Sequence, residues 1–343
     1  MRHPSISELE KRGKVFVVAE VAQAHDGSIG ILHSFIDACA QAGVDAVKFQ
    51  VHIAAAESSP QEPFRIRFSR VDSTRFDYWQ RMTLPEEQWT AIKTHCDEAG
   101  VEFLATPFSN AAVDLLERLG VVRYKVGSGD ISNELLLERI ARTGKEAILS
   151  TGLGTFAEIA RAVDRLRPTG VAVLQCTTQY PTVAKDVGLE AIRELRDRLA
   201  CPTGLSDHSA TIYAGIAAAA LGASVVEAHV TFDRRMFGPD AKASLTIDEF
   251  KALVDGVRFV EEARSGDAGK ELTQDLEQLR RTFGRSIAVN RDLPVGHVIA
   301  FEDLEAKKPA GMGLTCNDLS LLLGRRLVRA KAQWEFLKEG DLA

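Results

Sequence analysis

Short apolar runs rich in β-branched residues recur along the chain. They alternate with longer stretches whose apolar positions fall three or four apart, the signature of parallel strand–helix units. Eight runs read as strands: Val15–Glu20, Asp45–Gln50, Glu102–Thr106, Arg123–Gly127, Glu146–Thr151, Val171–Cys176, Thr203–Ser206 and Ser224–Val230. Amphipathic stretches such as Ile31–Ala42 and Pro85–Ala99 lie between them. The second opens on Pro85 and two glutamates and is followed by Gly100, a helix start and a helix stop. Asn110–Leu119 and Asn133–Thr143 repeat the plan, closed by Gly120 and Gly144, and Thr246–Ala263 ends the series with a long helix. Such alternation predicts a (β/α)8 barrel or a doubly wound sheet. Polar residues end almost every strand run, all the way round, which favours the barrel, where strand C-termini build the functional mouth.

The Val51–Leu84 connection is too long for a plain loop and carries Glu62, Arg65, Arg67, Tyr78, Trp79 and Arg81, the composition of a lid or recognition loop. Gly, Ser and Asp around Ser265–Gly269 mark the end of the barrel. Residues 1–264 are therefore expected to form the barrel, 265–284 a linker with a polar, Leu-spaced helix (Glu271–Arg281), and 285–343 a small β-rich module in which PVGHVI makes a tight turn. At about 60 residues that module has a marginal core and is expected to dock elsewhere.

Composition narrows the class. The 343 residues suit a barrel of about 250 residues plus an appendage. Net charge is −6 with no basic cluster, which speaks against a nucleic-acid partner. No apolar run reaches the ~18 residues of a membrane span, and the charged start MRHPSISELEKRGK has no apolar signal-peptide core. Five cysteines, an odd number without CxxC spacing, suggest neither a disulfide framework nor a zinc cluster. A reduced, cytoplasmic protein with no membrane contact is expected.

Candidate chemistry collects at the strand ends. Glu20 ends the first run; there a carboxylate either orients or deprotonates substrate or simply pairs with a lysine such as Lys48. Lys48 is costly to bury in VDAVKFQ without an anionic partner, and Gln50, two residues on, faces the same side. Lys125 stands in YKVGSGD, where glycines either side of Ser128 let the backbone approach an oxyanion and Ser128 adds a hydroxyl. Ser150, Thr151, Thr177, Thr178 and Ser206 each read alone as a turn or cap, but they recur at one level of the barrel. His208 (GLSDHSA) and His229 (VVEAHVTFD) each read singly as structural. At neighbouring strand tips beside Asp207 and Glu227, they can together hold a divalent cation such as Mn with open positions. His25, in AHDG, is a supporting group or part of a turn. A cation plus lysines asks for an anionic, oxygen-rich substrate.

These residues carry a resemblance. VAEVAQAHDGS, DAVKFQ, ATPFS, YKVGSGD, LSTG, LQCTTQYP, GLSDHS, ALGASVVEAHVTFD and GPDAKASL, in this order and spacing, resemble the sialic acid (N-acetylneuraminate, nonulosonic acid) synthase family over nearly the whole chain. The segment from about Ser286 resembles that family's antifreeze-like (SAF) domain, a small β-clip module after a (β/α)8 TIM barrel. The resemblance implies a transferase that condenses phosphoenolpyruvate with a 2-acetamido or 2,4-diacetamido sugar aldehyde, such as N-acetylmannosamine, giving a nine-carbon 3-deoxy-2-ketoacid and phosphate. It implies that His208 and His229 hold a divalent metal, Mn with Mg or Co as alternatives. Lys48, Lys125, Ser128, Thr178 and Ser206 would cradle phosphoenolpyruvate, with Ser150 on its carboxylate. Gln50, Thr106, Tyr180 and Asp240 would meet sugar hydroxyls, and Glu20 and Asp130 would handle protons. It also implies a swapped homodimer in which the SAF module of one subunit, carrying Lys308, covers its partner's mouth.

The departures touch the acceptor. The usual Asn-His-Asn-Gly run appears as Ala24-His25-Asp26-Gly27, Asp130 stands where glutamate is common, and Thr178 replaces an asparagine or serine. Lys308 stands where an arginine is expected, and a point charge meets an N-acetyl carbonyl differently from a guanidinium fork. N-acetylmannosamine, a diacetamido-trideoxyhexose, a plain hexose and a 6-phosphate all stay open. Two other functional classes compete: a metal-dependent aldolase or lyase using pyruvate, which releases no phosphate, and a non-catalytic carbohydrate-binding relative.

Overall fold

Eight strands follow the eight apolar runs: β1 (Phe16–Glu20), β2 (Ala46–Val51), β3 (Glu102–Pro107), β4 (Arg123–Val126), β5 (Glu146–Ser150), β6 (Val171–Cys176), β7 (Thr203–Asp207) and β8 (Val225–Thr231). In this computed structural model, which describes residues 3–266, 269 and 273–343, each strand pairs in parallel with the next. β1 also pairs with β8, Glu20 opposite His229, so the sheet closes into a (β/α)8 barrel. A two-residue strand, β9 (Leu245–Thr246), extends β8 beyond the barrel. The chain divides into two compact units, Met1–Gly266 and Asp267–Ala343.

The helices of the first unit are α1 (Ile6–Lys11), α2 (Ile29–Ala42), α3 (Ala54–Glu57), α4 (Arg75–Met82), α5 (Glu86–Ala99), α6 (Asn110–Leu119), α7 (Glu134–Ala141), α8 (Phe156–Leu166), α9 (Glu190–Leu199), α10 (Tyr213–Ala220) and α11 (Ile247–Ser265). Local chemistry sets their ends. Thr155 and Thr246 open α8 and α11 with capping boxes closed by Glu158 and Glu249. Gly100 and Gly120 end α5 and α6 in the left-handed region that glycine adopts without a Cβ clash. Among the described residues no helix is long and apolar enough to cross a membrane.

Strand alternation sorts the barrel. Val17, Ala19, Val47, Phe49, Leu149 and Val173 point outward into the main core beneath the helices. Phe16, Val18, Ala46, Leu104, Ile148, Leu174 and Val225 fill the interior, and Ile6 of α1 packs against them from below. Positions two residues further along these inner faces are Glu20, Lys48, Thr106, Ser150, Cys176 and Glu227, so one register carries an apolar floor and a polar mouth. At the opposite end Arg123 is fully buried; it donates to Glu102 (2.7 Å), Glu146 (2.5 Å) and the Pro4 carbonyl (2.8 Å).

The long β2–α5 connection is ordered around its own small core of Ala54, Tyr78, Trp79 and Met82, with Phe64, Phe68 and Phe76 against it. In the second unit Glu271 and Leu272 of the predicted linker helix lie outside the described residues, and α12 (Gln274–Phe283) runs from there. β10 (Ser286–Val289) and β11 (Leu304–Lys307) pair antiparallel, and isolated bridges form at Leu293, just before PVGHVI, and at Val298 within it. Its core is small (Ile287, Val289, Leu293, Ile299, Leu322, Leu327, Leu337) and is supplemented by two buried aspartates. Asp303 accepts from Ala300 N, His297 and Arg291; Asp341 accepts from Lys338 N, Lys331 and Arg329.

Removing Arg123 takes the guanidinium away from buried Glu102 and half-buried Glu146. Arg123→Ala is expected to lower unfolding free energy by about 3 kcal/mol in a denaturant titration. An unchanged midpoint would show that the ionic plug contributes nothing.

Candidate active site

The strand C-termini surround a cavity of about 390 Å³; every residue to which the resemblance gives a role lines it except Lys308, while Thr151, Thr177, His25 and Asp207 are not among its lining. Lys308 lies in the second unit, exposed, with its Nζ 5.3 Å from the Phe283 ring and beside an open groove of Arg285, Glu305, Lys307 and Trp334.

At the bottom of the mouth four buried charges interlock. Lys48 Nζ lies 2.8 Å from Glu20 and 3.5 Å from Glu227, while Lys125 Nζ lies 3.7 Å from Glu227. Burial pushes the Lys48 ammonium down, but Glu20 and Glu227 outweigh it and hold its pKa above the ordinary lysine value. Lys125 has weaker compensation: burial dominates, Lys48 adds repulsion, and its pKa is lowered. Burial would raise Glu227, yet the two lysines together keep it below the usual carboxylate range.

Hydroxyls ring this lattice. Ser150 accepts from Lys125 (2.6 Å), Thr106 from Lys48 (3.4 Å), and Ser206 donates to Glu227 (3.0 Å). Ser128 accepts from Gly152 N at 3.0 Å. A Cβ on Gly152 would press against Thr178 Oγ1 and stand 3.1 Å from Ser128 Oγ, so this glycine makes room for the hydroxyl pair. Thr151 and Thr177 are spent on backbone carbonyls, those of Leu174 and Asp186. Asp130, at the rim, is hydrogen-bonded by Asn133 (2.9 Å), and burial raises its pKa.

The imidazoles of His208 and His229 face each other with ring centroids 5.2 Å apart. His208 Nδ1 is held at 3.0 Å by the Thr177 carbonyl, which leaves Nε2 free. Burial, with His229 second, pushes His208 down to about 3, so the ring is neutral. Glu227 Oε2 is buried nearby without a hydrogen-bond partner. Two nitrogen donors suit a divalent cation whose other positions are filled by water or substrate. Among the described residues no group of three His, Cys, Asp or Glu side chains converges, so the protein supplies an incomplete shell. Asp207 does not join it; its carboxylate caps Ser209. His25 lies buried in a turn, accepting from Gly27 N.

The recognition loop closes one side. Arg65 donates to Asp240 (2.8 Å) and stacks over Tyr180 (4.1 Å), whose ring packs on His208 (4.1 Å). Glu227, which the sequence places beside the two histidines, lines the mouth on the same strand face as His229. Among the lining residues that the sequence reading missed, Gln23 and His52 are single polar residues among apolar neighbours and carry no signal.

Buried lysines, hydroxyls and paired imidazoles at the mouth of a (β/α)8 barrel define an enzyme site for an anionic substrate. The chain belongs to the NeuB family, whose model matches residues 35–269. It is 31% identical to the N,N'-diacetyllegionaminic acid synthase of Campylobacter jejuni over 334 residues, covering 95% of this chain and 99% of that one. It is 30% identical to the human N-acetylneuraminate-9-phosphate synthase, covering 91% and 88%. Among solved structures, the N-acetylneuraminic acid (sialic acid) synthetase of Leptospira borgpetersenii, in complex with citrate, matches with a TM-score of 0.67 and 28% identity over 77% of this chain and 90% of that one.

Gly152→Ala tests the hydroxyl ring. Displacing Thr178 and Ser128 by part of an ångström is expected to cut turnover about 100-fold while the melting midpoint holds. Full activity would remove the ring from the working site.

Proposed function

We propose that the protein condenses phosphoenolpyruvate with the open-chain aldehyde of an amino sugar, of the 2-acetamido or 2,4-diacetamido class, to give a nine-carbon 3-deoxy-2-ulosonic acid and inorganic phosphate. The observation that carries this is the pair of buried lysines, Lys48 and Lys125, held over Glu227 within a ring of hydroxyls. Such an array of paired cations and hydroxyls suits a small polyanion carrying both a phosphate and a carboxylate.

Lys48, Lys125, Ser128, Thr178 and Ser206 receive phosphoenolpyruvate, with Ser150 on its carboxylate. Positioning converts the encounter into a near-attack pair. The methylene carbon bonds to the aldehyde carbon, and the aldehyde oxygen takes a proton. Water then adds to the cationic phosphate-bearing carbon and gives up one proton; the bond from that carbon to the phosphate oxygen breaks, and the departing phosphate takes the remaining hydroxyl proton, leaving the keto group. Glu20 is suited to orient the water and accept its proton, and Asp130, with its raised pKa, to carry one in acid form. Gln50, Thr106, Tyr180 and Asp240 orient the acceptor. Bound by His208 and His229, a divalent cation (Mn, with Mg and Co as alternatives) supplies Lewis-acid polarisation of the acceptor carbonyl.

The second unit is read as the antifreeze-like module, bringing Lys308 to the mouth of a second copy in a homodimer. The use of phosphoenolpyruvate, a metabolite of the cytoplasm, puts the protein there.

Incubation with Mn, phosphoenolpyruvate and a panel of N-acetylhexosamines, diacetamido sugars, hexoses and 6-phosphates is expected to release one phosphate per ulosonic acid. His229→Ala is expected to abolish turnover and lower bound Mn with the barrel still folded. Carbon–carbon bond formation from pyruvate without phosphate would favour the aldolase.

A further inference from the structure

Gln23 is 3% exposed, lines the mouth, and its side-chain oxygen Oε1 has no hydrogen-bond partner among the described residues. A buried amide oxygen left unpaired costs a large part of its desolvation, so one that persists at the wall of a cavity calls for a donor arriving from the cavity.

The polarity of the surrounding network shows that this oxygen, rather than the amide nitrogen, is the free end. Two carboxylates set the direction from opposite sides. Glu20 can only accept while ionised, so the Gln50 amide nitrogen faces it, at 2.8 Å. Gln50 Oε1 is thereby turned toward Gln23 and accepts from its Nε2 at 2.8 Å. On the other side Glu57 accepts from His52 Nδ1–H at 2.6 Å, and in that tautomer Nε2 is an acceptor. That Nε2 stands 2.7 Å from Gln23 Nε2, which has a second hydrogen to give. Both Gln23 N–H groups are thus consumed by two acceptors 3.1 Å apart. Flipping the amide would put its oxygen against Gln50 Oε1 and the His52 lone pair. His52 is clamped between the rings of Trp79 (3.9 Å) and Phe108 (4.5 Å) and cannot swing aside to relieve that.

We infer that Gln23 is a specificity-determining residue of the acceptor subsite, accepting a hydrogen bond from an O–H or amide N–H of the sugar. This rests on the amino-sugar reading above. The position suits it: Gln23 lies on the wall between Gln50 and Asp240, and it also borders a small recess with Gly238, Pro239 and Asp240. The chemistry also excludes. A phosphate dianion brings no donor to this oxygen. The arginines on the loop side of the mouth are already paired, Arg65 with Asp240 and Arg75 with Glu62. The inferred acceptor group at Gln23 is therefore an uncharged hydroxyl or acylamino group.

Calorimetry with N-acetylmannosaminitol, an open-chain alditol that lacks the reacting aldehyde, separates this from turnover. Gln23→Leu is expected to weaken its binding about 10-fold and leave phosphoenolpyruvate binding unchanged, with a lower melting midpoint because Gln50 Oε1 and His52 Nε2 lose their donor. One monodeoxy alditol, with a single hydroxyl or the acetamido group replaced by hydrogen, should bind wild type about 10-fold more weakly than the parent, yet bind Gln23→Leu as well as the parent does, because the lost donor and the lost acceptor are one bond. Wild-type binding that Gln23→Leu leaves unchanged, or a variant that still discriminates against every deoxy analogue as wild type does, overturns this inference alone. A wild-type protein that binds phosphoenolpyruvate but none of the acylamino alditols overturns the amino-sugar reading and this inference with it.

Discussion

Glu227 sits inside the barrel with Lys48 3.5 Å and Lys125 3.7 Å from one carboxylate oxygen, and the mouth is arranged around that contact. At an effective dielectric near 20, a pair of unit charges about 4 Å apart gains about 4 kcal/mol, while taking each ion out of water costs several. The lattice therefore contributes little net stability. Its effect is to hold two ammonium groups at one spot with their counter-charge supplied in advance, so that an incoming anion meets an ordered, partly dehydrated site. Lys125, the less compensated lysine, has the most to gain from a bound anion. The Ser150 and Ser206 hydroxyls are already bonded to the same charges, which fixes their orientation before substrate arrives.

Both ends of the barrel show one device used for two purposes. Arg123 with Glu102 and Glu146 closes the bottom; Lys48 and Lys125 with Glu20 and Glu227 line the top. Between them the inward positions are apolar. The lower cluster is capped by the N-terminal segment through Pro4 and Ile6, whereas the upper one opens into the cavity. Among the described residues the upper cluster leaves Glu227 Oε2 without a hydrogen-bond partner, and Gln23 Oε1, on the wall of the same cavity, is unpaired too. Unpaired buried acceptors are a loss for folding, and they mark where binding has something to satisfy.

Much of this was legible along the chain because the barrel couples two periodicities. Strand runs and glycine-terminated helices appear as alternating patterns, and residues ending the runs must share one mouth; that logic reached Glu20, Lys48, Lys125, His208 and His229. It weighed the charge pairing of Glu20 with Lys48 as an alternative to a role in chemistry, and the structure contains that pair. What stayed hidden depends on partners distant in sequence. Thr151 and Thr177 look like Ser150 and Thr178 until their hydroxyls are seen to bond backbone carbonyls. Asp207 neighbours His208 in sequence but turns to Ser209. The place of Gln23 follows from an amide direction transmitted through Gln50 and His52 from two carboxylates, which no periodicity encodes.

The central claim is a preassembled anion site that takes phosphoenolpyruvate through its phosphate as well as its carboxylate. Calorimetric titration of the metal-loaded protein with phosphoenolpyruvate, against pyruvate as the phosphate-free comparison, tests it directly. One phosphoenolpyruvate per chain, bound far more tightly than pyruvate and lost in Lys125→Met, is the predicted result. Equal affinity for the two, or binding that survives loss of Lys125, would contradict it.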